Sequence, residues 1–420
     1  MIKTVFIKYI NNFRGFSTEI KVLALATFIN RAGAMVVPFL SKYMLEELHF
    51  TYSQIGWVMV FFGIGSFLGT WFSGKLVDSV GFYKIMMFSL FGTGALFIVL
   101  QFLTTFTSFC IGVLILTTIS DLYRPAMLVS IDTYSKREER TRALSLVRSS
   151  VNLGFMFGPL IGGIIINVFG YSNLFYIDGL TCISSIFLFT YFVKEKKSPF
   201  KLKKFEHLKE EESILSDKPF LMHLVITLIT GILFFQIFTT LSLYYKEEYQ
   251  FSSLGTGMFL ALNGILVLLF ELPIVNYVEK NKINRLLVIS YGVLAMAISY
   301  LMIVIGNNVF LLVLMMIFMT LGVMLTFPFA NNFVKERSLK KQEGKFMAVF
   351  TMSYSVAQII STKTGMEIIA AYGYRTNWIA LTLLGFFGFF LAYRLINIVN
   401  REREEIKEKI IQSFFIKGKN

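Results

Sequence analysis

The sequence predicts an all-α integral membrane protein, with twelve transmembrane helices in two pseudo-symmetric six-helix bundles. Three observations predict it: scarce charge, the length of the apolar blocks, and a repeat at half the chain length. Of 420 residues, 55% are hydrophobic and 16% charged, where a soluble chain carries about 25% charged residues. The apolar blocks run to about 20 residues, the helix length that crosses a hydrocarbon core of about 30 Å.

The spans are expected near 20–44, 54–77, 83–104, 107–132, 144–168, 172–193, 219–245, 254–277, 284–305, 309–333, 346–370 and 374–397. Basic connections alternate with connections that lack Lys and Arg. Lys3, Lys8, Arg14 and Lys21 precede or open span 1. Lys136, Arg137, Arg140 and Arg142 lie between spans 4 and 5, and Lys335, Arg337, Lys340, Lys341 and Lys345 between spans 10 and 11. The connections after spans 3, 5 and 9 carry neither residue. This asymmetry puts both termini in the cytoplasm, and a bacterial inner membrane is the expected location. The net charge of +14 is spread over these short connections and forms no continuous patch, which excludes a nucleic-acid partner. Cys110 and Cys182 both fall inside spans and read as small core residues. The basic N-terminus lacks an apolar run with a small-residue cleavage site, so no removed signal peptide is expected.

The longest connection, residues 194–218, is strongly charged and separates a bundle of residues 1–193 from one of residues 219–397. The tail, 398–420, contains a stretch (400–412) with helical charge spacing, expected as a short cytoplasmic or membrane-surface helix. The halves echo each other at an offset of about 200 residues, as duplication of a six-helix unit produces. Asp78 and Lys84 follow span 2 as Glu279 and Arg285 follow span 8. Gly170-Tyr171 opens span 6 as Gly373-Tyr374 opens span 12, and Arg124-Pro125 of span 4 corresponds in depth to Pro328 of span 10.

Two glycine motifs stand out. Gly74-Lys-Leu-Val-Asp78-Ser-Val-Gly81-Phe-Tyr-Lys84 joins spans 2 and 3. Gly74 is expected to permit close helix approach and Gly81 a turn with positive φ, while Asp78 suits the positive end of a neighbouring helix. Span 5 carries Gly154-Phe-Met-Phe-Gly158-Pro159-Leu-Ile-Gly162-Gly163. Small residues three and four apart make a flat face for a second helix, and Pro159 favours a kink.

On these residues the chain resembles the major facilitator superfamily. The 74–84 stretch is similar to its loop signature, although Ser79, Phe82 and Tyr83 stand where basic residues are usual. The span 5 string resembles the antiporter motif of drug:proton exporters, G-x3-G-P-x2-G-G, with Ser145 at the position of a further upstream glycine. Together with Asn30-Arg31 and Pro38 in span 1 and Asp121 to Asp132 in span 4, it resembles the bacterial multidrug-resistance branch over about the first 180 residues. Spans 4 and 5 are also similar to proton-coupled oligopeptide transporters. Of the span 1 E-x-x-E-R motif of that family only Arg31 survives, with Thr27 and Asn30 at the two Glu positions. The resemblance implies a substrate site at the midplane between the halves and access that alternates by rocking one half against the other.

Ionisable groups inside a membrane cost roughly 2.5–3.5 kcal/mol even on a lenient scale, so they are functional candidates. Asn30 and Arg31 lie in span 1, with no acid within a turn of Arg31. Asp121 and Arg124 are three apart in span 4 and expected on one face. Arg148 and Asn152 lie in span 5, Asn263 and Glu271 in span 8, and Gln358, Lys363 and Glu367 in span 11. A carboxylate here either carries a proton as the cavity changes side or forms a fixed ion pair, as Asp121 with Arg124 or Lys363 with Glu367 would. Arg148 reads as a gate or as a partner of Asp132 near the surface, beside Arg142.

The three histidines, His49, His207 and His223, are far apart and form no metal cluster, and no Walker-type loop or nucleophile–base set is seen. No cofactor and no enzyme activity are expected. The expected partners are a small-molecule substrate, protons and membrane lipids, with a monomer as the working unit. The leading reading is a proton-coupled exporter of small amphipathic compounds. The alternatives are a proton-coupled importer of a peptide or metabolite, and a transporter-like receptor without turnover.

Overall fold

The computed structural model describes residues 16–136, 139–196, 217–337 and 343–417. Most of the 194–218 connection, with His207, lies outside them, as do Lys340 and Lys341. The described residues are helical, without strands. Among the described residues eleven helices are long and apolar enough to cross a membrane. The last of them, Phe346–Glu402, holds two crossings, because the backbone leaves helical geometry at Gly373 (φ 80°, ψ 173°). Twelve spans result.

Spans 1, 4 and 7 are interrupted, where the sequence predicts single helices. Span 1 is Thr18–Ala32 followed by Val36–Glu46. Span 4 is Phe106–Ser120 followed by Tyr123–Tyr134. Span 7 is Lys218–Phe235, a 3-10 turn at Gln236–Phe238, and Thr240–Glu247. Proline explains the first two breaks. A proline cannot donate to the carbonyl four residues before it and clashes with it. Pro38 denies a bond to Ala34 and Pro125 denies one to Asp121, and these residues lie in the two gaps. Spans 5 and 10, in contrast, run as helices through Pro159 and Pro328.

Backbone freed inside a membrane must find partners in the protein. Around the break in span 4, Ser73 of span 2 donates to the carbonyl of Leu122 at 2.8 Å, and Ser89 of span 3 to that of Ile119 at 2.7 Å. At the break in span 7, the Gln236 side chain donates to the carbonyl of Ser361 in span 11 at 2.8 Å.

The chain divides into two compact units. One comprises Met1–His207, Phe235–Leu268 and Gln358–Gly373; the other comprises Leu208–Phe234, Leu269–Ala357 and Tyr374–Asn420. The core of the first includes Leu23, Met86, Tyr123, Val147 and Phe189. The second is built on Phe220, Val293, Phe329, Phe350 and Leu395. In the second unit, spans 9 and 10 meet at Gly292 and Gly322, where an added Cβ would fall within 3.0 Å of the other helix. Arg337, at the end of span 10, grips Asp217 (2.7 Å) and Glu402 (2.9 and 3.0 Å). The helix of span 12 continues to Lys417 instead of restarting near Asn400. No Gly or Pro lies between residues 398 and 417, and the clamp on Glu402 holds the extension.

Three hairpins turn on one glycine each: Gly81 (φ 98°), Gly170 (φ 79°) and Gly373 (φ 80°). A Cβ at any of them meets nothing within 4 Å, so the requirement is backbone conformation and not space. Gly170→Ala and Gly373→Ala are therefore each expected to destabilise by about 1–3 kcal/mol, read as a lower thermal unfolding midpoint of the detergent-solubilised protein.

Candidate functional site

The first unit assembles a polar centre around the two proline-induced breaks. Arg31 occupies the last turn of the first helix of span 1. Its neighbours in electrostatic reach are Asp121, Arg124 and Tyr123 of span 4 and Cys182 of span 6. Asp121 closes the first helix of span 4, with Ser66 of span 2 close to its carboxylate. Among the described residues no ion pair within 4.0 Å joins Asp121 to Arg124. The helix is interrupted between them, so they do not share the regular face that their spacing predicts. The carboxylate instead balances the field of Arg31 from a neighbouring span. The Nε of Arg31 is buried and meets no hydrogen-bond partner among the described residues, while its guanidinium carbon sits 5.8 Å from the centre of the Phe155 ring. A cation in that state attracts a ligand carboxylate, a water or a proton-carrying neighbour. Beside it, Asn30 donates to the Cys182 sulfur at 3.2 Å, and Thr27 and Tyr123 share a 3.4 Å hydroxyl contact.

Span 5 presses this centre into shape. A Cβ on Gly154 would lie 2.3 Å from the Cβ of Arg31, and one on Gly158 3.3 Å from the Arg31 carbonyl. Gly162 faces Met35 at 3.0 Å. The opposite side of the same helix meets span 8: a Cβ on Gly163 would lie 2.6 Å from the carbonyl of Ser253, and one on Gly257 2.3 Å from that of Pro159. Span 5 is thus a flat slat between spans 1 and 8.

The second helix of span 1 begins under a side chain that the sequence reading passed over. Asp178 of span 6, fully buried, accepts from the amide of Met35 at 2.9 and 3.1 Å and from that of Val36 at 2.9 Å. Lys42, 2% exposed, donates to Ser253 of span 8 at 3.2 Å. Glu46 receives Lys246 and accepts from the Tyr171 hydroxyl at 2.9 Å, and Tyr52 donates to Glu247 at 2.6 Å. These contacts tie spans 1 and 2 to spans 7 and 8 at the end of span 1 marked by Glu46. Asp178 and Lys42 both meet the rule that singled out Asp121, a charge within an apolar run.

The remaining sequence candidates scatter. Lys363 and Glu367 pair with each other, and Ser53, near the capped start of span 2, donates to Glu367 at 2.6 Å. The Lys363 ammonium lies 4.5 Å from the Trp57 ring. This pair stands at the edge of the spans, not at mid-membrane, because span 2 begins at Tyr52. Asn152, Asn263 and Gln358 are half-buried in the first unit, and Glu271 is half-buried in the second. Asp132 lies 3.6 Å from Arg140, Arg142 sits 5.1 Å from the Phe16 ring, and Arg148 and Lys84 are exposed. The Asp78 side chain lies outside the described ones. Gly74 has nothing within 4 Å of an added Cβ, so it mediates no close helix approach. His223 is buried against the Ala330 carbonyl at 3.3 Å, and no metal-binding group is found among the described residues.

The two glycines separate cleanly in a stability measurement. Gly154→Ala overpacks the contact between spans 1 and 5 and is expected to cost about 1–3 kcal/mol. Gly74→Ala gains up to about 1 kcal/mol of helix propensity. The unfolding midpoint in detergent should fall for the first and hold or rise for the second.

A family model described as Major Facilitator Superfamily matches residues 23–362 and 281–417. YuxJ of Bacillus subtilis (strain 168), described as an uncharacterized MFS-type transporter, is 27% identical over 40% of this chain and 44% of its own length. The multidrug resistance protein MdtG of Escherichia coli O9:H4 (strain HS) is 26% identical over 58% of this chain and 61% of its own. The chain thus spans under two thirds of the length of either relative. A crystal structure of the peptide transporter POT superposes with a TM-score of 0.79 at 15% identity, covering 93% of this chain and 96% of that one, a likeness of fold.

Proposed function

The chain belongs to the major facilitator superfamily, and from that premise we propose that it is a proton-coupled exporter of small amphipathic compounds working by alternating access. The observation that carries this reading is the half-buried Arg31, whose Nε is buried without a hydrogen-bond partner among the described residues, beside Asp121 and set at two interrupted helices. Irregular backbone at membrane depth is tolerated where it is buried in protein or lines a cavity, and discontinuous helices form the substrate sites of many transporters. Asp121 is the proton carrier in this reading. When it is ionised it balances Arg31; when it takes a proton, the Arg31 cation is left to repel a cationic solute or hold an anionic one. Export and drug-like solutes are supported by the glycine slat of span 5, by the Phe155 ring beside Arg31, and by the multidrug relative named above. The protein acts as a monomer in a bacterial inner membrane with both termini in the cytoplasm, its bundles being residues 1–193 and 219–397.

Import of a peptide or metabolite is the second reading. It is supported by the surviving Arg31 of the E-x-x-E-R pattern and by the Thr27–Tyr123 contact at one of the positions where that motif carries a carboxylate.

Purified protein in liposomes loaded with a pH-sensitive dye distinguishes them. Lipophilic cations are expected to drive proton movement, and Asp121→Asn to lower its rate by at least about tenfold, a barrier change of about 1.4 kcal/mol. A response to dipeptides alone moves the protein to the uptake class. Saturable binding without proton movement or flux under any gradient supports a receptor.

A further inference from the structure

We propose that Asp178 is the positioning residue of the polar centre: a carboxylate supplied by span 6 that caps the second helix of span 1, fixes its bend, and so aims Asn30 and Arg31. Pro38 accounts for where span 1 breaks, not for what becomes of the amides the break exposes. The first amides of a helix have no partner within it, and in an apolar interior each unsatisfied group costs several kcal/mol. Gly33, Ala34 and Met35 bring no acceptor side chain, and no side chain of span 1 caps Val36–Glu46. Asp178 supplies the acceptors. One oxygen lies 2.9 Å from the Met35 amide, which also faces the Gly33 carbonyl at 2.8 Å. The other lies 2.9 Å from the Val36 amide. A negative charge also suits the positive N-terminal end of that helix, which explains why a carboxylate can be wholly buried there.

The contact reaches Arg31 through a single face of span 6. Asp178, Thr181 and Cys182 are three and four apart and lie on one side of the helix. A Cβ at Gly33 would lie 1.9 Å from the Thr181 hydroxyl oxygen, so only glycine lets span 1 settle on this face. The Thr181 hydroxyl donates back to the Asp178 carbonyl at 3.0 Å. One turn further on, Cys182 accepts from Asn30, the residue before Arg31. From the other side Gly154 and Gly158 bear on Arg31. The bend is therefore clamped between span 5 and span 6. Asp178 is the only member of the clamp that holds the backbone by hydrogen bonds to both Met35 and Val36.

The test uses the full chain in lipid nanodiscs and needs no transported compound, so it stands apart from the exporter reading. Hydrogen–deuterium exchange should find the Met35 and Val36 amides of the unmodified protein as protected as amides in mid-helix. Asp178→Asn keeps the volume but only one acceptor oxygen, so exchange at this pair should rise by about tenfold or more, as loss of a hydrogen bond to a charged group implies. Asp178→Ala should raise it further. On a Cys110→Ser background, labelling of Cys182 by N-ethylmaleimide should increase in the same order, because Asn30 no longer covers it. A side chain that merely filled space would leave Asp178→Asn like the unmodified protein in both measurements, and that result overturns the proposal. If the variants fail to fold, the unmodified protein decides it: fast exchange at Met35 and Val36 overturns the proposal, and protection there supports it.

Discussion

The constraint on which the rest of this structure depends is the backbone hydrogen bond inside a membrane. A helix satisfies its own amides and carbonyls, and any break in it exposes groups that lipid cannot serve. Spans 1, 4 and 7 each accept such a break, and in spans 1 and 4 side chains of neighbouring spans bond the backbone around it. Span 1 uses a carboxylate of span 6 and span 4 uses serines of spans 2 and 3; at the break in span 7 the Gln236 side chain ties the turn to the Ser361 carbonyl of span 11. The repairs explain part of the buried polarity: fully buried Ser73, Ser89 and Asp178 serve interrupted backbone. Once they are accounted for, Arg31 and Asp121 stand out as charges that repair nothing.

Span 5 is the second determinant. Its glycines remove side chains from two opposite faces, so spans 1 and 8 approach its backbone closely. The result is a stack in which a shift of span 5 is felt at Arg31 on one side and at Ser253 and Leu254 on the other. A bulky residue in the motif would hold the three helices apart, and no hydrogen bond in the stack would compensate. Dispersion between close backbones, not charge, holds this contact together.

The helices, their approximate ends and the hairpin glycines were legible in the sequence because apolar length and glycine conformation are local properties. The breaks were legible in part. Pro38 and Pro125 each predict a lost bond four residues earlier, whereas Pro159 and Pro328 show that the same residue can sit inside a continuing helix. What decides between the outcomes is whether neighbouring spans supply partners, and that is a tertiary fact. The break at Thr239 has no proline or glycine to announce it. Among the charges, spacing served one pair and not the other. Asp121 and Arg124 are near in sequence but separated by a break, whereas Lys363 and Glu367, four apart, pair as their spacing predicts, beside the start of span 2. Asp178 is an isolated acid in an apolar span, as Glu271 is, and nothing in its local sequence marks it as a helix cap. Its partners are backbone amides 142 and 143 positions away, and a charge pattern does not encode them.

On the transporter reading, the contacts at the Glu46 end of span 1 must separate and re-form in each cycle, and their chemistry suits that demand. Tyr52 with Glu247 and Ser53 with Glu367 are hydroxyl-to-carboxylate bonds near the ends of spans, where water can replace either partner. A hydrogen bond to a charged group contributes about 1.5–3 kcal/mol, and water that replaces either partner recovers most of it. Lys42 differs. It is almost fully buried, its nearest carboxylate, Glu46, lies 4.0 Å away, and its hydroxyl partner, Ser253, belongs to span 8. Loss of Ser253 leaves Lys42 to gain water or to remain unsatisfied, so separation becomes favourable only once water enters. A latch of this kind would be held by exclusion of water as much as by its bonds. A few kcal/mol of differential solute or proton binding is enough to invert a two-state equilibrium. A latch of several weak bonds and one buried cation lies in that range, whereas a fully buried ion-pair network would not.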